Sequence, residues 1–273
     1  MEVCVLTSGS CGNCIYIGTA NSSVVIDIGL SRTYLRRSLG CFGRKTEDLD
    51  AILLTHEHSD HVRGLSDVVK DFGIPVYATC GTWSGMRFGA GKFRPESVNL
   101  FASGDVFYIK DMKVESFRLS HDAVEPVGYR ITDEYGASVG IATDTGFVTP
   151  EVKRGITGAD VIVLESNYDE DMLLGGGYPW HLKMMVGGQM GHLSNKNCGV
   201  CLGETIGDNT RYVFLAHLSA QNNTPGIAFE TTKKELFSRG IVPDVDVDII
   251  TTKRYEMCEP VVVGNDVKRR LFS

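Results

Sequence analysis

Short apolar runs recur along the chain, separated by loops of glycine, serine, asparagine and aspartate. Residues 3–6 form the first such run, and 14–17 and 23–28 read as a pair of strands joined by a turn. Residues 32–39 have helical spacing and end at Gly40 and Gly43. A short, buried-looking strand follows at 50–55. A helix is predicted over 62–71, capped by Ser59 or Asp60 and terminated by Gly73 and Pro75. Residues 75–79 are another strand. The middle of the chain reads as β at 106–109, 112–119, 128–132 and 138–143, with Glu134-Tyr135-Gly136 as the turn between the last two. A strand at 161–165 precedes a break at Gly175-Gly176-Gly177. Residues 197–205 are predicted helical with Ser194 as a plausible N-cap, 212–216 a strand, 228–238 a helix and 245–251 a closing strand. Strands at both ends with helices interleaved predict an α/β protein built as a two-sheet sandwich flanked by helices.

Composition narrows this without redirecting it. The 273 residues, 42% hydrophobic and 22% charged, are those of an ordinary globular protein, so disorder is not expected. No long linker or low-complexity segment divides them, and one domain over 1–273 is expected. The net charge of -7 provides no global attraction to nucleic acid, so any such contact must use a local basic patch or metal ions. The opening MEVCVLTSGS lacks a charged and apolar leader pattern, and no apolar stretch approaches a membrane span. A cytoplasmic location is expected, in which the 8 cysteines are reduced thiols rather than a disulfide framework.

The chemistry concentrates where the strand at 50–55 ends. Residues 55–61 read THEHSDH, which places three of only 7 histidines beside an aspartate. A polar surface turn would gain nothing from this density, and burying such groups unpaired would be costly. A metal site accounts for them directly. His121, Asp144 and His217 each follow an apolar strand in the same way. Loops converging on one edge of a sandwich would gather all of them, and surface histidines have no reason to prefer strand ends.

The pattern HxHxDH followed by a lone His, a lone Asp and a lone His resembles the metallo-β-lactamase superfamily over nearly the whole chain. Asp27, after its own apolar strand, matches that superfamily's first motif. The opening Leu6-Thr7-Ser8-Gly9-Ser10-Cys11-Gly12-Asn13-Cys14 is similar to the SGSxGN start of YycJ/WalJ-like exonucleases. So are Gly191-His192-Leu193-Ser194-Asn195, Ala216-His217-Leu218-Ser219 with Asn222-Asn223-Thr224-Pro225, and Glu165-Ser166-Asn167-Tyr168-Asp169, although relatives often carry His at the position of Tyr168. The resemblance implies a four-layer αββα sandwich. It implies two divalent ions, Zn or Mn, one held by His56, His58 and His121, the second by Asp60, His61 and His217, with Asp144 bridging. Nitrogen and oxygen ligands without thiolate suit those metals. Two such ions sharing a hydroxide can clamp both the attacking and the leaving oxygen. Relatives with redox chemistry at a di-iron centre carry Glu where this chain has His58, which favours hydrolysis.

By the same resemblance, Asp60 and His192 are the catalytic candidates. His192, supernumerary to the seven ligands, would bind the scissile phosphate or protonate the leaving oxygen, with Ser194 beside it as a substrate contact. Asp27 would orient a ligand imidazole. Other features carry less. Cys11/Cys14 and Cys198/Cys201 are two CxxC pairs that could form a zinc ribbon, but they are far apart and small core cysteines explain them better. Glu57 should point away from its neighbours, and His181 is expected on the surface. The SGSxGN loop could offer backbone N–H groups to a phosphate or be a tight structural turn. Arg32, Arg36, Arg37, Arg44 and Lys45 form one basic cluster. Arg87, Lys92 and Arg94 form another, interleaved with Phe88 and Phe93, a composition suited to single strands. The resulting expectation is a 5′-to-3′ exonuclease acting on DNA ends. The alternatives are a phosphodiesterase for a small or cyclic phosphate and a non-catalytic metal-bound scaffold.

Overall fold

A computed structural model describes residues 1–86 and 97–264. The first half runs β1 (Glu2–Thr7), β2 (Cys14–Gly18), β3 (Ser23–Ile26), α1 (Arg32–Cys41), β4 (Ala51–Leu53), α2 (Ser59–Val62), α3 (Leu65–Phe72), β5 (Val76–Thr79), α4 (Cys80–Gly85) and β6 (Val98–Phe101). The second runs β7 (Val106–Ile109), β8 (Met112–Arg118), β9 (Val127–Asp133), β10 (Ser138–Ala142), α5 (Pro150–Ile156), β11 (Val161–Glu165), α6 (Glu170–Gly175), α7 (Trp180–Val186), α8 (Asn195–Thr205), β12 (Tyr212–Ala216), α9 (Pro225–Phe237), β13 (Asp248–Thr251) and β14 (Val261–Val262). The strands form two sheets, ordered β14-β1-β2-β3-β4-β5-β6 and β13-β12-β11-β10-β9-β8-β7.

Alternation along each strand builds three apolar layers. Val3, Val5, Ile15, Ile17, Val24, Ile26 and Leu53 face Val114, Tyr129, Ile131, Val139, Ile141, Val163 and Phe214 between the sheets. The intervening residues Cys4, Leu6, Tyr16, Val25 and Ile52 turn outward onto Leu35 and Leu39 of α1 and Val68 and Val69 of α3. On the far side, Ile162, Leu164, Val213 and Leu215 pack against Val152 and Ile156 of α5, Leu202 of α8 and Leu236 of α9. Because helices cover both outer faces, β11 and β2 are buried at every position and read as unbroken apolar runs. This is the expected αββα sandwich.

The two halves of the topology decide where the loops go. β3, β4, β5 and β6 are mutually parallel, as are β10, β11, β12 and β13. β8 runs the same way as β10, since both are antiparallel to β9. The carboxyl ends of these strands therefore open on one side of each sheet, which is where parallel α/β sheets build their sites.

Several expected elements differ in detail. The helix expected over 62–71 is two pieces, α2 and α3, and His58, not Ser59 or Asp60, occupies the N-cap position of α2, without a capping side-chain bond. The break falls at Gly64, whose N–H donates to the Ile28 carbonyl at 2.8 Å and where a β-carbon would overlap the Leu30 carbonyl. The closing strand is shorter than 245–251, and β14 returns the chain to the first sheet beside β1. β6 and the short helices α4 to α7 carried too little periodicity to be expected. Ser194 does cap α8, accepting from the Asn197 N–H at 3.2 Å. The cluster Arg87, Phe88, Lys92, Phe93 and Arg94 lies outside the described residues. Among the described residues, no helix is long and apolar enough to cross a membrane.

Candidate metal centre

Each residue singled out for metal binding stands just beyond a strand end. β4 delivers His56, His58, Asp60 and His61; β8 delivers His121, β10 Asp144 and β12 His217. Among the turns at strand ends, those after β3, β10 and β12 hold a non-glycine residue at positive φ, Asp27 at 61°, Asp144 at 61° and His217 at 55°, as does the β7–β8 turn at Lys110. Such conformations persist only where the surroundings over-determine them, and they cluster at functional sites.

The ligating atoms converge. His56, His58 and His121 can bring one atom each to within 4.8 Å of one another, and so can Asp60, His61 and His217. His56, His61 and Asp144 form a third such group, and Asp144 with Glu165, His192 and His217 a fourth, so Asp144 sits between the two halves of the cluster. Asp60, His58 and His192 are partly exposed, while His56, His61, His121, Asp144 and His217 are buried.

Hydrogen bonds select which nitrogen each ring presents. His61 Nδ1 lies 2.7 Å from Asp27 Oδ2, and His121 Nδ1 lies 3.1 Å from the Gly191 carbonyl. His217 Nδ1 lies 2.8 Å from Glu165 Oε1, and His56 Nδ1 lies 3.0 Å from the Thr55 hydroxyl. With Nδ1 engaged, all four rings turn Nε2 into the cluster, the arrangement that holds metal-binding histidines in orientation. His58 is reversed: its Nδ1 lies 3.3 Å from His121 Nε2. His56 Nε2, His217 Nε2 and Asp144 Oδ2 are buried without any hydrogen-bond partner among the described residues. Buried polar atoms are rarely left so. Orphaned acceptors of nitrogen and oxygen type facing one point fit divalent cations, and no thiolate enters the set.

Charge follows the same plan. Burial pulls the pKa of His56 well below its usual value, helped by the neighbouring His61. Burial acts the same way on His61 and His217, but is outweighed by the carboxylates around them, Asp27 and Asp144 for the first and Asp144 and Glu165 for the second, so both are raised. Burial opposes ionisation of Asp144 too, yet His217 and His61 hold its carboxyl well below the usual range.

Supporting residues complete the site. Asp27 accepts from the Thr55 N–H and hydroxyl, both at 2.8 Å, and also faces His61 Nδ1. In the sequence Glu165 stands out only as part of a motif, yet its position is central. Its Oε1 lies 2.8 Å from both His192 Nδ1 and His217 Nδ1, and its Oε2 accepts from the Thr145 and Leu193 N–H groups at 2.9 and 3.1 Å. A glutamate closing an all-apolar strand was the available signal. The SGSxGN loop is a brace: Ser8 Oγ accepts from the His217 N–H at 2.7 Å, and Asn13 donates to Asp60 Oδ2 at 3.2 Å while its N–H bonds the Asp60 carbonyl at 2.8 Å. Gly29 lets the two loops approach, since a β-carbon there would overlap the Asp60 carbonyl.

A cavity of about 310 Å³ opens over the cluster, lined by His58, Asp60, His121, Asp144, His192 and His217 on one side and Ser10, Asn167, Tyr178, Ser219 and Asn222 among others on the rest. His192 therefore reaches the cavity with its Nε2 making no hydrogen bond among the described residues. Ser194 does not line it: the side chain is fully buried, capping α8 and pairing with Glu170 at 3.2 Å, which corrects its expected substrate contact. Tyr168 is likewise buried, beneath α7, with its hydroxyl close to Gly187. Glu57 points away, accepting from the Val124 N–H at 2.8 Å. His181 is exposed on α7, as expected. The cysteines are all free, and Cys14, Cys198 and Cys201 are core residues, whereas Cys11 is exposed beside the Tyr255 hydroxyl. In the first basic cluster, Arg32 pairs with Asp71 and Arg44 with Glu2.

A helix-flanked double sheet carrying a buried His/Asp cluster at its strand ends defines a hydrolytic enzyme of the metallo-β-lactamase fold. The chain belongs to the beta-lactamase superfamily, whose domain model matches residues 23–217. It is 37% identical over 236 residues to the exodeoxyribonuclease YycJ of Bacillus anthracis, covering 86% of this chain and 89% of that one. It is 36% identical over 250 residues to the exodeoxyribonuclease WalJ of Streptococcus pneumoniae, covering 91% and 93%. Among solved structures, the metallo-beta-lactamase fold protein YhfI from Bacillus subtilis superposes with a TM-score of 0.69 at 15% identity, over 94% of this chain and 98% of that one, a likeness of fold.

Proposed function

We propose that this protein is a dinuclear-metal-dependent phosphodiester hydrolase that degrades DNA from free 5′ ends. The carrying observation is the set of Nε2 atoms turned into one cluster by Nδ1 partners, with His56, His217 and Asp144 each left with an orphaned atom there. The names of the two long relatives support the substrate class. His56, His58 and His121 would hold one ion and Asp60, His61 and His217 the other, with Asp144 shared between them. Divalent ions held there supply Lewis acidity toward phosphoryl oxygens and a nucleophile at neutral pH.

The chain's own residues do the rest. Asp27 and Glu165 hold His61 and His217 in the tautomer that presents Nε2. Glu165 also holds His192 by Nδ1 and raises its pKa against the opposing effect of burial, which favours the protonated ring. His192 Nε2–H is then placed in the cavity to donate a proton to the leaving oxygen. Asp60, at the cavity wall, is held in place for its ion by the Asn13 amide.

The test is to incubate protein loaded with Mn or Zn with DNA labelled at either end, with RNA and with bis-p-nitrophenyl phosphate. Release of label first from 5′ ends is expected, with activity falling as salt rises because phosphate contacts release counterions. Strong hydrolysis of bis-p-nitrophenyl phosphate or a cyclic nucleotide with every DNA and RNA end left intact would replace this reading by the small-phosphate alternative, to which the net charge of -7 lends support.

A further inference from the structure

The segment between β11 and His192 carries side chains that hydrolysis does not use. Leu174, Trp180, Met184, Met185 and Met190 are exposed at 59%, 65%, 57%, 54% and 52%. Single exposed apolar residues need no explanation, but a run of them in one short segment does. At helical spacing, Trp180, His181, Met184 and Met185 share the outer face of α7, while Leu182 and Val186 lie on the opposite side. Val186 and Tyr178 line the catalytic cavity. The segment is clamped to the site: the His192 N–H donates to the Val186 carbonyl at 2.8 Å, and Ser120 Oγ donates to the Gln189 carbonyl at 2.8 Å. The segment therefore borders the cavity at two points, Val186 at the end of α7 and Tyr178 two residues before Trp180, and leaves Trp180 exposed on the outer face.

Charge and size point to the occupant. Residues 172–193 contain no aspartate or glutamate in a chain that carries 34, so the segment is spared the repulsion that most of this acidic surface offers a polyanion. A cavity of about 310 Å³ is at the small end for ligand sites, enough for the reacting end of a strand but not for its continuation. The rest of the strand must leave over the rim. We propose that Tyr178, Trp180 and the methionine face of α7 form a stacking platform for the single-stranded end of a DNA substrate. This rests on the exonuclease reading. Bases of any identity can stack on an aromatic face, and thioether sulfur contacts rings favourably, which suits an enzyme that consumes DNA without regard to sequence.

Trp180→Ala, Trp180→Phe and the parent are compared in a Trp83→Phe background, which leaves Trp180 as the only tryptophan. Adding oligo-dT to the parent should quench its tryptophan fluorescence. Trp180→Ala should raise KM for single-stranded DNA by about 5- to 100-fold, the range of losing one stacked base, with kcat largely retained, and Trp180→Phe should restore most of the loss. No quenching, together with a KM for Trp180→Ala within twofold of the parent, overturns the platform while leaving the nuclease reading standing. So does a concentration-dependent dimer that Trp180→Ala abolishes without changing KM, which would mean a second copy covers this face. If the parent hydrolyses bis-p-nitrophenyl phosphate but neither binds nor cuts any DNA, the nuclease reading fails and the platform with it.

Discussion

Glu165 is the residue on which two parts of the site meet. One buried carboxylate oxygen faces two imidazoles, His192 at the cavity and His217 in the metal cluster, while the other is satisfied by two backbone N–H groups. Glutamine cannot accept on both sides, so Glu165→Gln leaves at least one buried donor unpaired. Disrupting a buried, hydrogen-bonded charge of this kind typically removes about 3–5 kcal/mol of stability. Thermal unfolding should show a clearly lowered Tm, and metal titration a roughly 10–100-fold weaker site. An unchanged Tm would mean that the two histidines are held by other contacts. His192 can be separated from this effect. His192→Ala should keep the fold and two ions yet lose about 10²–10⁴-fold in rate on an alkoxide leaving group, and less on p-nitrophenolate, which needs little protonation. Loss of an ion on elemental analysis would place His192 among the ligands instead. The ligand assignment has its own check: Asp60→Ala combined with His217→Ala should retain one ion and lose the other.

At the scale of elements, the site depends on loops brought closer than side chains would allow. β3 and β4 end side by side, and the segments beyond them interlock through Ile28 N–H to His61 carbonyl at 2.7 Å, while Gly29 N–H ties the same stretch to the β1–β2 loop at the Asn13 carbonyl, 2.9 Å away. A β-carbon on Gly29 has no room against the Asp60 backbone. Because backbone cannot swing aside as a side-chain tip can, Gly29→Ala should destabilise by about 1–3 kcal/mol or more. It should also weaken the Asp60/His61/His217 site more than the His56/His58/His121 site. Metal titration of the variant with stepwise readout checks this, and equal weakening of both sites would contradict it. The one-turn helix α2 has the same origin, since Gly64 tucks under Leu30 and divides what sequence periodicity reads as a single helix.

Across the whole molecule, the two sheets hold their strand ends so that charges of both signs are buried together. His61 and His217 have raised pKa values, maintained against burial by the surrounding carboxylates, so without cations they carry protons further up the pH scale than free imidazoles. A cation needs those nitrogens neutral, so its uptake must expel protons. Metal affinity is therefore expected to fall as pH falls through and below these raised values and to level off above them. Calorimetry in buffers of different ionisation enthalpy should show net proton release on metal binding. Release of no protons near neutral pH would show that these histidines are already neutral. Chelation should lower Tm, because ions that bind only the folded state stabilise it.

The amino-acid sequence by itself determined most of the strands and singled out the candidate ligands. Apolar runs bounded by glycine and polar residues report burial of a strand whatever it pairs with, which is why 161–165 and 212–216 coincide with β11 and β12. A histidine or aspartate just after such a run is a local signal that marked His56, His121, Asp144 and His217 as candidates, and the density of THEHSDH marked His58, Asp60 and His61. What depended on contacts distant in sequence was not legible. That Glu165 serves two histidines 27 and 52 residues away, that Ser8 braces His217 across 209, and that Ser194 is spent on a helix cap instead of facing the cavity all depend on how parallel strands bring their ends together. The tertiary structure also decided that the stretch 174–190 brings Tyr178 and Val186 to the cavity and leaves Leu174, Trp180, Met184, Met185 and Met190 exposed. Hydrophobic patterning records whether a residue can be buried, and the packing of the two sheets settles which apolar residues are left over once the core is full.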